Sequence, residues 1–233
     1  MKKPKIVILT GAGISAESGI QTFRDANGLW NNYDIMEVAS PDGWKKHPEV
    51  VLEFYNQRRR QLLEVKPNPA HLSITELQKY FDVDIITQNV DDLHERAGNK
   101  NVLHLHGELL KVRSEKNENL IYEWKKDLKL GNLGEDGNQL RPHIVWFGEA
   151  VPNISKATEI AQKADIFIIV GTGMQVYPAA GLIHYLKPDT EIIYIDPDPK
   201  PLPVNLPLQT VKGKAGEKLP EAVEKLVEKY ILK

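Results

Sequence analysis

Short, almost wholly apolar runs alternate along the chain with segments of helical period. Lys5–Thr10, Asp84–Thr87, Val102–Leu105, Asp165–Val170 and Glu191–Ile195 are rich in β-branched residues. They predict strands buried on both faces. Between them the apolar spacing becomes helical over His47–Glu64, Ala70–Tyr80, Ser155–Lys163 and Glu217–Leu232. A turn and short helix are predicted within Asn89–Ala97, stopped by Gly98, and a helix start over Ile14–Gly19. Strands alternating with helices imply an α/β fold: a Rossmann-like parallel sheet with helices on both faces.

Two stretches interrupt the alternation. Residues 27–70 open on a polar Asn- and Asp-rich loop and end at Pro67 and Pro69, which close the helix before them. Residues 111–141 carry few long apolar runs and contain Gly131, Gly134 and Gly137, the signature of hairpin and loop. The expected layout is one domain over 1–233. Its large lobe comprises roughly 1–26, 71–110 and 142–233, and its small lobe the insertions 27–70 and 111–141.

Composition narrows the class. At 233 residues, 41% hydrophobic and 27% charged, the chain has enough apolar surface for a sizeable core. A net charge of −2 supplies no basic field for nucleic acid. No apolar run reaches the ~18 residues a membrane span needs. Met1–Pro4 runs directly into a strand rather than a signal-type apolar region, so a cytoplasmic monomer is expected. Cysteine is absent, which removes disulfides and thiolate metal sites.

The chemistry-bearing signals begin at Gly11-Ala12-Gly13-Ile14-Ser15-Ala16, a G-x-G-x-x-A turn after a strand. Its glycines permit a tight turn and close approach to a pyrophosphate. No acid-ended strand follows about 20 residues on, as an ordinary dinucleotide unit requires. A second glycine turn, Gly171-Thr172-Gly173, does precede such a strand, which ends in Asp196. Asp196 reads equally well as a ribose-binding carboxylate or as a turn-forming Asp before Pro197. Together the two turns suggest one dinucleotide shared between the two ends of the chain.

Several rarer strings occur in an order that resembles the sirtuin family across nearly the whole chain. They are Gly11 through Ile20 with Phe23-Arg24 and Gly28-Leu29-Trp30; Thr87-Gln88-Asn89-Val90-Asp91-Asp92-Leu93-His94; Leu105-His106-Gly107; and Val145-Trp146-Phe147-Gly148-Glu149. Gly171-Thr172-Gly173 through Pro178-Ala179-Ala180, and Lys214-Ala215-Gly216, complete the set. The resemblance implies NAD as co-substrate, held by Gly11, Ala12, Gly13, Ser15, Phe23, Arg24, Gln88, Asn89, Asp91, Gly171, Thr172, Gly173, Asp196 and Ala215. It implies His106 as the general base on a ribose hydroxyl, with Asn89 orienting the ribose or a water. Asp91 would hold the nicotinamide carboxamide. Read without the family, Asn89 and Asp91 are also a plausible N-cap pair for the following helix. His104 is set aside as a bystander facing away from the cleft.

The family further implies NAD-dependent removal of acyl groups from protein lysine, giving free lysine, nicotinamide and O-acyl-ADP-ribose. Val145, Trp146, Phe147, Gly148 and Glu149 would pair with the acylated peptide by strand addition. Tyr55-Asn56-Gln57-Arg58 resembles the Tyr-x-x-Arg pair of the desuccinylase-like branch, where a phenol and a guanidinium capture the carboxylate of succinyl- or malonyl-lysine. The family's zinc-binding cysteine pairs are missing, and Ser114 stands near the position of the first. No zinc is expected, and a patch of Leu120, Ile121, Tyr122, Trp124, Leu128, Leu130 and Leu133 is expected to hold the small lobe instead. An NAD-dependent ADP-ribosyltransferase, an NAD hydrolase, and a weakly active NAD- or acyl-peptide-binding module remain the alternatives.

Overall fold

The computed structural model describes residues 3–21, 29–30 and 33–232. Six parallel strands form the main sheet: β1 (Lys5–Thr10), β4 (Asp82–Thr87), β5 (Val102–His104), β9 (Ile166–Val170), β10 (Glu191–Asp196) and β11 (Leu208–Lys212). Their spatial order is β11-β10-β9-β1-β4-β5. This is a doubly wound arrangement, and its direction of winding reverses between β1 and β9. In such sheets ligands bind beyond the carboxyl ends of the strands at that reversal. The register places Thr10 beside both Thr87 and Val170, so the residues after all three open at one point.

The parallel sheet forms because both faces of each central strand are apolar. Ile6, Ile8, Ile85, Ile168 and Ile195 face one side, packed by α4 (Pro69–Leu77) and α7 (Ala215–Tyr230) through Ile74, Leu77, Leu219 and Val223. Val7, Leu9, Phe167, Ile169 and Tyr194 face the other, against Ala157 and Ala161 of α6 (Ile154–Ala161) and Leu182. Each such fully buried aliphatic side chain contributes roughly 1.5–3 kcal/mol. The Rossmann-like fold is as expected. The edge strand β11, polar and largely exposed, carried no apolar signal in the sequence.

A second, antiparallel sheet of order β7-β6-β8 is built from β6 (Gly107–Ser114), β7 (Ile121–Glu123) and β8 (Leu140–Ile144). A short hairpin of β2 (Leu29–Trp30) and β3 (Tyr33–Asp34) leads into α1 (Ile35–Val38), α2 (Pro41–Lys46) and α3 (Pro48–Glu64). On α3 the buried positions Val51, Leu52, Tyr55, Arg58, Arg59 and Leu62 keep one helical stripe. That stripe packs on Leu109, Leu110, Ile144 and Trp146 of the second sheet and its exit. Leu93 of α5 (Leu93–Arg96) joins the same cluster.

Three expectations change. Residues 14–19 form no α-helix; two 3-10 turns, Ala12–Ile14 and Ala16–Ser18, occupy the segment. The bonds run to the third residue back, Ser15 N–H to Ala12 O, Ser18 N–H to Ser15 O and Gly19 N–H to Ala16 O, and Gly19 then turns left-handed at φ 94°, which ends the segment. The apolar patch expected to hold the hairpin is not its core, because Ile121, Leu130 and Leu133 are 43, 46 and 56% exposed. Only Leu128 of that set is fully buried, with Leu52, Val112 and Leu140. His104, expected to face away from the cleft, meets the same loop as His106: its Nδ1 lies 2.9 Å from Asn89 O, and that of His106 3.0 Å from Gln88 O.

Candidate active site

The two glycine turns meet. Gly11 N–H donates to Val170 O at 3.1 Å and Gly13 N–H to Gly171 O at 2.8 Å. A Cβ on Gly171, at φ 68°, would lie 2.2 Å from Ile14 N, and one on Gly11 2.7 Å from Thr172 Cβ. Only glycine lets these backbones touch. They do so at the carboxyl ends of β1 and β9, where the winding of the sheet reverses. Ala12 and Gly173 are partly open in these turns, whereas Thr172 is buried.

Beneath the turns lies a buried polar cluster drawn from both β1 and β4 exits. Ser15 Oγ donates to Asp91 Oδ2 at 3.0 Å and accepts from Asn89 Nδ2 at 3.1 Å. Asp91 Oδ1 accepts from Leu93 N–H at 3.2 Å, an Asx turn leading into α5; the N-cap itself is Asp92, whose side chain makes no cap bond, so Asn89 and Asp91 are not the N-cap pair of the alternative reading. Burial pushes the Asp91 carboxyl up to about 6, against the pull of the Leu93 and Ser15 donors. Gln88 Nε2 donates to Thr172 Oγ1 at 3.1 Å and ties this loop to the second glycine turn.

Two buried histidines complete the cluster: His71, which no motif contained, and His94, the last residue of the Thr87–His94 string. His71 Nε2 lies 3.5 Å from Ser15 Oγ, and its Nδ1 accepts from Asn68 N–H at 3.3 Å in a capping box. His94 Nε2 lies 3.1 Å from Thr10 Oγ1, which donates to Thr87 Oγ1 at 2.8 Å. Burial pushes His71 down to about 4 and His94 well below the ordinary imidazole range, so both are neutral. Asn-Pro before a histidine was the one local sign available for the His71 cap.

His106 stands two residues beyond β5, just before β6. Its Nδ1 donates to Gln88 O at 3.0 Å, which leaves Nε2 as the basic atom. Burial lowers its pKa, opposed by that carbonyl, so the ring is neutral at physiological pH. Gly107 follows at φ 84°, and a Cβ there would lie 2.0 Å from His143 O. His104 Nδ1 donates to Asn89 O at 2.9 Å.

The segment after β8 is a turn rather than a continued strand. Val145 N–H donates to His106 O, Phe147 N–H to Ala39 O, and Trp146 N–H to Glu149 Oε2. Glu149 receives both guanidinium arms of Arg141, at 2.7 and 3.1 Å. Burial alone would raise this carboxyl, but the Arg141 bonds hold it below the usual range. The turn thereby presents Phe147 and Gly148 to solvent while Trp146 is buried. A cavity of about 620 Å³ bounded by Met36, Ser40 and Gly43 reaches Phe147 and Gly148.

Tyr55 meets this turn, and Arg58 follows one helical turn along α3. Trp146 Nε1 donates to the Tyr55 hydroxyl at 3.0 Å, and the Arg58 guanidinium stacks 4.7 Å from the Phe54 ring centre. Burial pushes Arg58 down to about 9 and Tyr55 up.

Asp196 is buried at the end of β10, where Oδ1 accepts from Asp198 N–H at 2.8 Å, an Asx turn as the alternative reading of this residue required. Ala215 is buried at the first turn of α7, and the next N–H, of Gly216, donates to Glu17 Oε2 at 2.6 Å. Phe23 and Arg24 lie outside the described residues.

Zinc does not fit the small lobe. The chain has no cysteine, and among the described residues no group of three His, Cys, Asp or Glu could hold a metal. Ser114 donates instead to Asp136 Oδ2 at 2.6 Å and accepts from the N–H groups of Lys116 and Asn117. No described helix is long and apolar enough to cross a membrane.

The Sir2 family model matches residues 11–178, the span that holds both glycine turns, Asn89, Asp91 and His106. An NAD-dependent protein deacylase of Helicobacter pylori is 59% identical over 223 residues, covering 96% of this chain and 97% of that protein. A solved Sir2 homologue mutant in complex with ADP-ribose matches at TM-score 0.89 and 41% identity, over 100% of this chain and 95% of that one. A Sir2 protein solved with a myristoylated histone peptide matches at TM-score 0.74 and 31% identity, over 100% and 94%. A family model matching most of the chain, and a relative 59% identical over 96% of it, show that the chain belongs to the Sir2 family.

Proposed function

We propose that the protein is an NAD-dependent protein-lysine deacylase of the cytoplasm, acting on acetyl-lysine and on the acidic succinyl and malonyl groups. The observation that carries this reading is the meeting of the two glycine turns over Ser15, Asn89 and Asp91, with the basic nitrogen of a neutral His106 beside them. Membership of the Sir2 family and the name of the H. pylori relative support it.

NAD would supply the electrophilic sugar carbon, nicotinamide as leaving group and a ribose hydroxyl as acyl acceptor. Gly11, Ala12, Gly13, Gly171, Thr172 and Gly173 would hold its pyrophosphate and ribose, with Phe23, Arg24, Gln88, Asp196 and Ala215 completing the nucleotide contacts. A Cβ on Gly11 or Gly13 would strike Thr172 or Gly171, so these glycines keep the two turns in contact where the pyrophosphate would lie. Asp91, held by the Ser15 hydroxyl and the Leu93 N–H, would accept from the carboxamide N–H groups. His106 Nε2 accepts a proton from a ribose hydroxyl, and its Nδ1 bond to Gln88 O keeps that atom basic. Asn89, braced by Ser15, positions the ribose or a water.

Val145, Trp146, Phe147, Gly148 and Glu149 would receive the substrate backbone, with Glu149 clamping the turn through Arg141. The Tyr55 hydroxyl accepts from Trp146, which leaves its proton to donate to a carboxylate. A desolvated Arg58 gains charge stabilisation when that carboxylate arrives. The division of labour follows the lobes, with the large lobe (1–26, 71–110, 142–233) holding the nucleotide and the small lobe (27–70, 111–141) reading the acyl group.

The test is incubation with NAD and acetyl-, succinyl- or malonyl-lysine peptides, followed by mass spectrometry for the matching O-acyl-ADP-ribose. Nicotinamide release with no acyl-ADP-ribose from any peptide would replace this reading with NAD hydrolysis.

A further inference from the structure

Two histidines, two residues apart, hold consecutive carbonyls of one loop. His106 Nδ1 donates to Gln88 O at 3.0 Å and His104 Nδ1 to Asn89 O at 2.9 Å. The second nitrogen of His104 is also engaged, with Nε2 2.9 Å from Glu95 Oε1. Both of its nitrogens therefore face oxygens that only accept. A neutral ring would set a lone pair against one of them, so only the doubly protonated ring satisfies both. The side chain is 9% exposed, and a cation so enclosed persists only when paired. Its own carbonyl is anchored by Asn153 Nδ2 at 2.8 Å, and Leu105 N–H by Thr87 O, so the ring cannot follow the loop if the loop shifts.

We infer that His104, held as an imidazolium by Glu95, is a positioning residue that fixes the Asn89–Asp91 loop for the nucleotide. The inference rests on the NAD-dependent reading above and adds to it an ionisation separate from that of His106. Among the described residues, several charged groups face the ring. Glu95 on α5 and Glu108 at the start of β6 favour the cation. Asp91 on the loop couples to it, and in turn is held lower by it. His94 on α5 is neutral, and Lys111 acts on the two glutamates, pairing with Glu108 at 2.9 Å. Burial alone would lower His104, but the Glu95 hydrogen bond and charge outweigh it and raise the ring above its ordinary range.

The consequence is a basic limb. As pH rises through the raised pKa of His104, either the Asn89 carbonyl or the Glu95 carboxylate loses its donor, and Asp91 loses a neighbouring cation. His106, lowered by burial, governs the acidic limb instead. The loop handles nucleotide, so the basic limb belongs to kcat/KM for NAD and not to the KM for acyl peptide.

The experiment measures kcat/KM for NAD at saturating acetyl-lysine peptide from about pH 6 to about pH 10 in the wild type, Glu95→Gln and His104→Gln. Glu95→Gln is expected to move the basic limb down by about one pH unit. His104→Gln is expected to abolish the limb and lower kcat/KM for NAD by roughly tenfold at neutral pH, with the peptide KM unchanged. Wild-type profiles in both variants overturn the proposal. Nitrogen-15 NMR of the histidine rings in the wild-type protein decides it even if a variant fails to fold: a neutral His104 at neutral pH overturns it, and a doubly protonated ring supports it. Wild-type protein inactive on every acyl peptide would be a failure of the deacylase reading, and the NMR result would still stand on its own.

Discussion

Asn56 pairs with the backbone of Leu128 as though it were a strand residue: its Oδ1 accepts from Leu128 N–H at 2.8 Å and its Nδ2 donates to Leu128 O at 2.9 Å. Arg59 Nη1 adds a third bond to the same Oδ1, at 2.8 Å, and Arg59 Nε reaches Leu109 O. The buried stripe of α3 that carries Tyr55 and Arg58 therefore also carries the clamp on the segment where the family's zinc site would lie. Asn56→Ala leaves a buried N–H and carbonyl unpaired and is expected to cost on the order of 2–4 kcal/mol. Denaturant unfolding measures this, and a loss below about 1 kcal/mol would show that the hairpin is held elsewhere.

A hairpin held by Asn56, Ser114 and Asp136 has no use for a metal. Exhaustive chelation is expected to leave the thermal midpoint unchanged. A chelator-dependent fall, restored by zinc, would contradict the hydrogen-bonded account.

Asp91 places stability and activity in opposition. Burial raises its pKa from 3.8 to about 6. Between those values the folded state binds more protons than the unfolded one, so stability falls as pH rises through the window and stays lower above it. Asp91→Asn removes the buried charge. It should gain on the order of 2 kcal/mol at about pH 8, one weakened acceptor allowed for, while NAD-dependent deacylation is lost. An Asn variant no more stable than wild type at that pH would remove the desolvation argument.

Arg58→Met keeps the stem that packs on Phe54 and removes the guanidinium. Desuccinylation is expected to fall by roughly a hundredfold, in line with the ~1.5–3 kcal/mol of a hydrogen bond to a charged group, and deacetylation by far less. Equal losses in kcat/KM for succinyl- and acetyl-lysine peptides would end the acid-acyl reading.

Gly107→Ala brings a methyl group within 2.0 Å of His143 O at a backbone φ of 84°. The β6–β8 pairing beside His106 must open, at a cost of more than about 3 kcal/mol from strain and lost ladder bonds together. A variant with wild-type melting temperature would show that β6 and β8 separate freely there.

The large sheet was legible because burial on both faces forces Ile6–Leu9, Ile85–Ile86 and Ile166–Val170 to be apolar without interruption, a pattern no loop shares. The two glycine turns were legible as turns leaving buried strands, because a tight turn restricts residue type within a short string; the strings around Asn89, Asp91 and His106 were legible as motifs. What the sequence could not show was distance. That Gly13 touches Gly171 follows from β1 and β9 being neighbours, a choice made by packing two apolar faces at once. The contacts of His104 were hidden for the same reason: Glu95 and the Asn89 carbonyl approach it only when β5 pairs with β4. The small lobe was least legible, since side chain-to-backbone bonds such as Asn56–Leu128 leave no periodic trace. Local propensity and chemistry are written residue by residue, whereas a hydrogen bond between positions 72 apart exists only once the core has closed.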